Sequence, residues 1–132
     1  MHEFSIASGI AETVLTFAEA RNIQRVVEVR LTVGELTCVE ADQLRFCFEA
    51  ITPGTALEGC ALEIEKAAAV VRCADCGYQG PPKYWDEALA GVSFPTLQCP
   101  TCGHTAEAIE GRECAIKSIR FVGDEATNAA LV

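Results

Sequence analysis

Cys73-Ala-Asp-Cys76-Gly77 and Cys99-Pro-Thr-Cys102-Gly103 are two matching C-x-x-C-G turns, and they carry the strongest chemical signal in the chain. A C-x-x-C turn presents two sulfurs on one side of a tight loop, so a single ion can hold both. Two such turns supply four thiolates, the donor set of tetrahedral zinc with Zn–S distances of about 2.3 Å. The glycine after each second cysteine suits the sharp bend, because glycine takes positive φ without steric cost. One C-x-x-C alone reads equally well as a thioredoxin-like redox pair. Two of them, separated by the segment from Tyr78 to Gln98, read as a ribbon-like zinc site with Cys73, Cys76, Cys99 and Cys102 as ligands. Four sulfurs fill the coordination sphere, so the expected zinc is structural and not catalytic.

The second chemical feature is Met1-His2-Glu3, which sets one of only two histidines beside the α-amine. The Met1 amine, a deprotonated backbone amide and the His2 imidazole can close fused chelate rings around one ion. Nitrogen-rich square-planar donation of this kind selects Ni(II) or Cu(II) over zinc. The plainer reading of the same residues is a solvated histidine at a loose terminus.

The elements that must position these groups follow from periodicity. Ile6, Ile10, Val14 and Phe17 recur at helical spacing between Ser5 and Arg21, with Asn22 as the terminator. From Arg25 to Val33 the chain alternates, with Val27, Val29, Leu31 and Val33 on one face and Glu28, Arg30 and Thr32 on the other, and Gly34 ends this half-buried strand. Leu36 to Glu40 reads as a loop, and Asp42 to Ile51 as a helix with Leu44, Phe48 and Ile51 inward. Thr52-Pro53-Gly54-Thr55 breaks that helix. A second strand covers Cys60 to Lys66 with Leu62 and Ile64 inward. A third covers Cys114 to Val122, its alternation disturbed at Lys117 and Ser118 in the manner of a bulge. The last ten residues are expected to fray. Helix, strand, helix, strand, zinc insertion, strand predicts a mixed α+β fold. Its sheet has about three strands with both helices on one face. The expected domains are 1–72 plus 110–132 for the α/β part, and 73–109 for an inserted zinc lobe with its four-cysteine site.

Composition narrows the functions. The chain has 132 residues and a formal net charge of −9. Loading zinc onto four thiolates moves it to about −11. A zinc ribbon that grips phosphate backbones needs a basic face, so nucleic acid is not an expected partner. No apolar run approaches the ~20 residues of a membrane span, and the N-terminus has no basic n-region of a signal peptide. Thiolates kept reduced for a metal imply a cytoplasmic setting.

Taken together, several segments resemble the HypA/HybF family of nickel-incorporation proteins for nickel–iron hydrogenases. They are Met1-His2-Glu3, Val33-Gly34-Glu35-Leu36, Arg45-Phe46-Cys47-Phe48-Glu49, Gly54-Thr55, Glu58-Gly59-Cys60, the paired knuckles and Lys117-Ser118-Ile119. The resemblance covers residues 1 to 122. It implies a non-enzymatic metallochaperone in which His2 ligates nickel, with the Met1 terminal amine and nearby backbone amides, including that of Glu3, as further donors. It implies structural zinc on Cys73, Cys76, Cys99 and Cys102. It also implies a HypB-type nickel-binding GTPase as partner and the hydrogenase large subunit as client, with urease served by some members. The spacing between knuckles is longer than in the shorter members, and Tyr84, Trp85 and Phe94 lie in the extra length.

Other residues invite overreading. His104 follows Cys102 closely, but four sulfurs already satisfy zinc. Most of Cys38, Cys47, Cys60 and Cys114 are expected as buried small hydrophobes. Glu3 and Glu40 are candidate outer-shell or partner-facing carboxylates, although surface glutamates are usually just solvated. Tyr84 and Trp85 are expected to pack the small lobe. Two other functions compete with the chaperone. A zinc-ribbon interaction adaptor makes His2 incidental. A zinc hydrolase needs an open coordination position and a general base, and two histidines at positions 2 and 104 without an H-E-x-x-H pattern do not supply them.

Overall fold

The structure is a computed structural model that describes residues 2–87, 91–122 and 128–129. The chain divides into two compact units. The first comprises Met1–Thr32, Val39–Glu65 and Ala115–Val132, and the second comprises Val33–Cys38 and Lys66–Cys114.

The first unit opens with helix α1, His2–Ala20. It starts three residues before the sequence expectation, with Glu3 in its first turn, where a negative charge meets the positive end of the helix dipole. Ala7, Ile10, Ala11, Val14 and Ala18 form its buried stripe. Three of the five are alanines, which lets α1 lie close to its neighbours. Ile6 and Phe17, expected inward, are only half-buried. The end is a Schellman turn: Asn22 takes φ 56°, its N–H donates to Glu19 O at 3.3 Å, and Ile23 N–H donates to Ala18 O at 2.8 Å. Asparagine is among the few residues that adopt this left-handed conformation readily.

Helix α2, Ala41–Ile51, buries Leu44, Cys47 and Phe48. It packs against α1. Strand β1, Arg25–Gly34, buries Val29, Leu31 and Val33 as its alternation predicts, while Val26 is buried and Val27 half-buried. Strand β2 is Ala61–Ala67 with Leu62 buried. Burying each valine or leucine contributes about 1.5–3 kcal/mol.

The second unit contains a 3-10 turn at Glu35–Thr37 and strands β3 (Val70–Arg72), β4 (Gln79–Gly80), β5 (Tyr84–Glu87), β6 (Val92–Pro95) and β7 (Glu107–Glu110). β4, β3 and β7 form a sheet in that order, and β5 and β6 form a hairpin. None of these short strands is legible from alternation.

Strand β8, Cys114–Val122, buries Ile119 and Phe121. Ile116 and Ser118 are half-buried, so inward parity changes between Ser118 and Ile119. Phe121 meets Phe17 with ring centroids 6.3 Å apart, and the Arg21 guanidinium lies 4.6 Å over the Phe17 ring, a cation–π contact. A last strand β9, Asn128–Ala129, stands where the sequence predicts fraying. The larger sheet has the order β2-β1-β8-β9, so the three expected strands are joined by one short addition.

The expected domain boundaries, after residue 72 and before 110, fall inside the second unit. β3 and β7 pair with each other, which draws both flanks of the cysteine turns into that unit. Residues 33–38 join them because Gly34 N–H donates to Glu113 O at 2.6 Å and Leu36 N–H donates to Gly111 O at 2.7 Å. A Cβ on Gly34 would collide with the Gly111 backbone, so glycine is required at that crossing.

Candidate metal centres

Each cysteine turn is closed by its own backbone. Cys73 N–H donates to Tyr78 O at 2.8 Å and Gly77 N–H to Cys73 O at 2.9 Å. In the second turn Cys99 N–H donates to His104 O at 2.8 Å and Gly103 N–H to Cys99 O at 3.0 Å. Gly77 and Gly103 take φ 78° and 80°, the left-handed region expected of them from sequence.

These turns bring the four sulfurs of Cys73, Cys76, Cys99 and Cys102 within 4.8 Å of one another. Cys73 Sγ lies 3.5 Å from Cys102 Sγ, and Cys76 Sγ lies 3.5 Å from Cys99 Sγ. A regular tetrahedron with metal–sulfur bonds of about 2.3 Å has edges of about 3.8 Å, so the cluster fits one tetrahedral ion such as zinc with little adjustment. Among the described residues it is the cluster of metal-binding donors that the fold assembles.

The thiols are electrostatically unequal. For Cys99, desolvation is the largest effect and acts upward. The N–H groups of Cys102 and Thr101 and the thiols of Cys76 and Cys102 outweigh it and bring the group down to about 6. For Cys102 a hydrogen bond from His104 N–H acts downward most strongly. Burial and the neighbouring thiols of Cys73, Cys76 and Cys99 still push it up to about 12. Four sulfurs this close cannot all ionise without a cation among them.

His104 Nδ1 lies 3.2 Å from Cys102 Sγ and 3.7 Å from Asp75 Oδ2. It is therefore a neighbour of one ligand and an exposed ring on the surface of the turn. The apolar support is slight: Val71, Cys73, Cys99 and Ala106 are buried together, with Tyr78 at their margin.

Sequence reasoning missed the role of Glu35. Its Oε1 accepts from Ala69 N–H at 2.8 Å and from the Tyr84 hydroxyl at 2.9 Å. One carboxylate thus fastens the 3-10 turn to the start of the β5–β6 hairpin. Burial, and then the hydrogen bond and charge of Glu35, raise the Tyr84 phenol above its usual range. Tyr84 packs the unit as expected, but Trp85 is 65% exposed and stands opposite Phe94, itself 46% exposed. Cys47 and Cys60 are buried as expected, whereas Cys38 and Cys114 are exposed. Burial, then the Glu28 charge, push the Cys60 thiol up to about 11.

At the other candidate centre, His2 is the first residue of α1. The Met1 amine and the His2 imidazole lie outside the described residues. Glu3 Oε2 accepts from Glu40 N–H at 3.2 Å. Glu40 in turn caps α2, its carboxylate accepting from Asp42 N–H at 3.3 Å and Gln43 N–H at 2.8 Å. The first turn of α1 is therefore tied to the start of α2 through two glutamates that the sequence alone offers only as outer-shell or partner-facing candidates.

The profile of the family described as "Hydrogenase/urease nickel incorporation, metallochaperone, hypA" matches residues 1–121. The chain belongs to the HypA family. It is 40% identical to the hydrogenase maturation factor HypA of Methanopyrus kandleri, over 92% of this chain and 93% of that protein. It is 38% identical to the factor of the same name from Chlorobium limicola, over 90% and 95%. The fold is similar to the solution structure of the Ni metallochaperone HypA from Helicobacter pylori. That match has a TM-score of 0.61 and 19% identity, covering 94% of this chain and 100% of that one. Membership places the chain among nickel-incorporation metallochaperones for hydrogenase maturation, and the four-cysteine cluster gives it a site for a metal. No helix among the described residues is long and apolar enough to cross a membrane.

Proposed function

We propose that this protein is a non-enzymatic carrier that takes up Ni(II) at its N-terminus. It passes the ion, with a HypB-type GTPase, to the large subunit of a nickel–iron hydrogenase in the cytoplasm. The observation that carries this reading is the family match over residues 1–121, which runs from the Met-His-Glu terminus through both cysteine turns. The proposed donors are the Met1 amine, the His2 imidazole and the backbone amides of His2 and Glu3. The start of α1 at His2 supports this set. The first four N–H groups of a helix have no intrahelical acceptor, so deprotonating two of them breaks no helical hydrogen bond. Two amidates also neutralise Ni(II), so the loaded chelate does not oppose the positive end of the helix dipole. The Glu3 carboxylate is engaged by Glu40 N–H, which favours the Glu3 backbone over its side chain as donor.

Zinc on Cys73, Cys76, Cys99 and Cys102 is proposed as structural. With all four sulfurs turned to one point, no position is left for substrate. The first unit then holds the cargo and the second is held by its own metal. The net charge of −9 favours protein partners over nucleic acid.

The test is nickel equilibrium dialysis on untagged, zinc-loaded protein, with His2→Ala and an N-terminally extended form alongside. One nickel equivalent is expected for the native terminus and loss of tight binding in both variants, with zinc content unchanged. Binding should weaken as pH falls through about 8 and 6.5, where the amine and imidazole protonate. Native affinity in both variants would place the nickel site elsewhere, and no nickel bound by the native protein beyond its zinc would leave the zinc-ribbon adaptor as the better reading.

A further inference from the structure

Glu28 and Arg30 stand two residues apart on β1, on the face opposite buried Val29 and Leu31. β8 is the neighbour of β1 in the sheet and brings Ser118 and Arg120 alongside. These four residues line a hollow of ≈ 260 Å³. That is smaller than the roughly 300–1,000 Å³ of pockets that take drug-sized ligands, and every side chain lining it is polar or charged.

The charges of the hollow do not balance. Arg30 Nε lies 3.3 Å and Arg120 Nη1 lies 3.9 Å from the same oxygen, Glu28 Oε1. One carboxylate thus anchors two guanidiniums and leaves a positive charge over, in a chain whose net charge is −9. The Glu28 side chain is 15% exposed, against 59% for Arg30 and 47% for Arg120. The anchor is sheltered while the two guanidiniums face solvent. Glu63 borders an adjoining hollow that Arg30 also lines, but among the described residues it forms no ion pair with Arg30. Lys117 holds Glu65 there at 3.1 Å.

We propose that Arg30, Ser118 and Arg120 form a binding site for a phosphate group, with Glu28 setting the positions of the two guanidiniums. A planar guanidinium pairs with phosphate oxygens through two parallel hydrogen bonds. The N–H groups that Glu28 leaves over on two arginines, with the Ser118 hydroxyl, outnumber the roughly four acceptor sites of a carboxylate. A phosphate presents more oxygens and more charge to them. Its source is the free ion or a phosphomonoester, which offer the site the same chemistry.

Zinc-loaded, full-length protein titrated with inorganic phosphate, glycerol phosphate or acetate tests the site, up to about 20 mM at neutral pH and ionic strength held constant with chloride. The readout is the ¹⁵N NMR signals of the Arg30 and Arg120 Nε groups and of the Ser118 amide. Saturable shifts with a dissociation constant on the order of 1 mM are expected for the phosphates, and binding of acetate weaker by roughly tenfold or more. Tighter binding of glycerol phosphate identifies an ester as the ligand, and tighter binding of inorganic phosphate identifies the free ion. Arg30→Gln combined with Arg120→Gln should weaken binding roughly tenfold or more. Arg30→Lys combined with Arg120→Lys keeps both charges but loses both forks, and should weaken it about threefold or more. Lys117→Gln should leave it unchanged. Zinc content and far-ultraviolet circular dichroism check that each variant is folded. Shifts no larger than chloride produces, an equal response to acetate, or native affinity in either double variant overturn the proposal.

Discussion

Removing the metal from the second unit should release its two cysteine turns while the first unit stays folded. Around the ligands the buried apolar set is Val71 and Ala106, with Tyr78 at the edge and the ligand cysteines themselves. A fully buried valine contributes about 1.5–3 kcal/mol and an alanine methyl about 0.8 kcal/mol, so these two residues give about 2–4 kcal/mol of apolar support. Zinc on a structural four-ligand site contributes about 10–16 kcal/mol at neutral pH. The metal therefore outweighs the packing. Hydrogen–deuterium exchange before and after treatment with a strong chelator, under reducing conditions, reads the difference at four amides. Those of Cys73, Gly77, Cys99 and Gly103 close the turns at 2.8–3.0 Å. Their protection should fall by about three orders of magnitude or more, the equivalent of ~4 kcal/mol. Amides beside buried Val14 and Leu44 in the first unit should keep theirs. Cys99→Ser should behave as the chelated protein does. Retained protection at the four amides after zinc is gone would show that the turns stand on their own packing. Loss at Val14 and Leu44 as well would show that the two units melt as one.

Three further outcomes follow from named contacts. The Tyr84 phenol is raised by burial and by Glu35, so the folded state holds that proton more tightly than the unfolded state does. Its contribution to stability is complete below pH ~10, the ordinary tyrosine value, and declines above it. Denaturant melts at pH 9 and 11 should show this decline, and Tyr84→Phe should lessen it. Asn22→Ala puts a residue without asparagine's tolerance of the left-handed region at φ 56° and should cost about 1 kcal/mol, whereas Asn22→Gly should be neutral or stabilising. Equal melting temperatures for the two variants would show that the Schellman turn contributes little. Glu40→Ala removes the acceptor of two N–H groups of α2 and should cost about 0.5–2 kcal/mol. Glu40→Asp, which keeps a capping carboxylate, should recover most of it in urea titrations.

The four cysteines of the metal cluster are legible from sequence because C-x-x-C-G is a local device. Spacing inside five residues fixes which sulfurs face one way, and glycine fixes the bend. Asn22 as a helix end and the alternation of Val29, Leu31 and Val33 are legible for the same reason, since both follow from backbone geometry within a few residues. The meeting of the two knuckles can also be anticipated, because two half-sites need each other to complete one tetrahedron. The short strands β3 to β7 cannot, as strands of two to four residues carry too few side chains to show a period. Only the tertiary structure places residues 33–38 with the cysteine turns, because backbone hydrogen bonds to Gly111 and Glu113 have no signature in side-chain pattern. The same holds for Glu35, whose carboxylate serves Ala69 and Tyr84 from far along the chain, and for Glu3, which meets Glu40 only once α1 and α2 are packed. Sequence determines what each residue is able to donate. Long-range packing decides which acceptor it finds, since the energy of that choice is shared among residues distant in the chain.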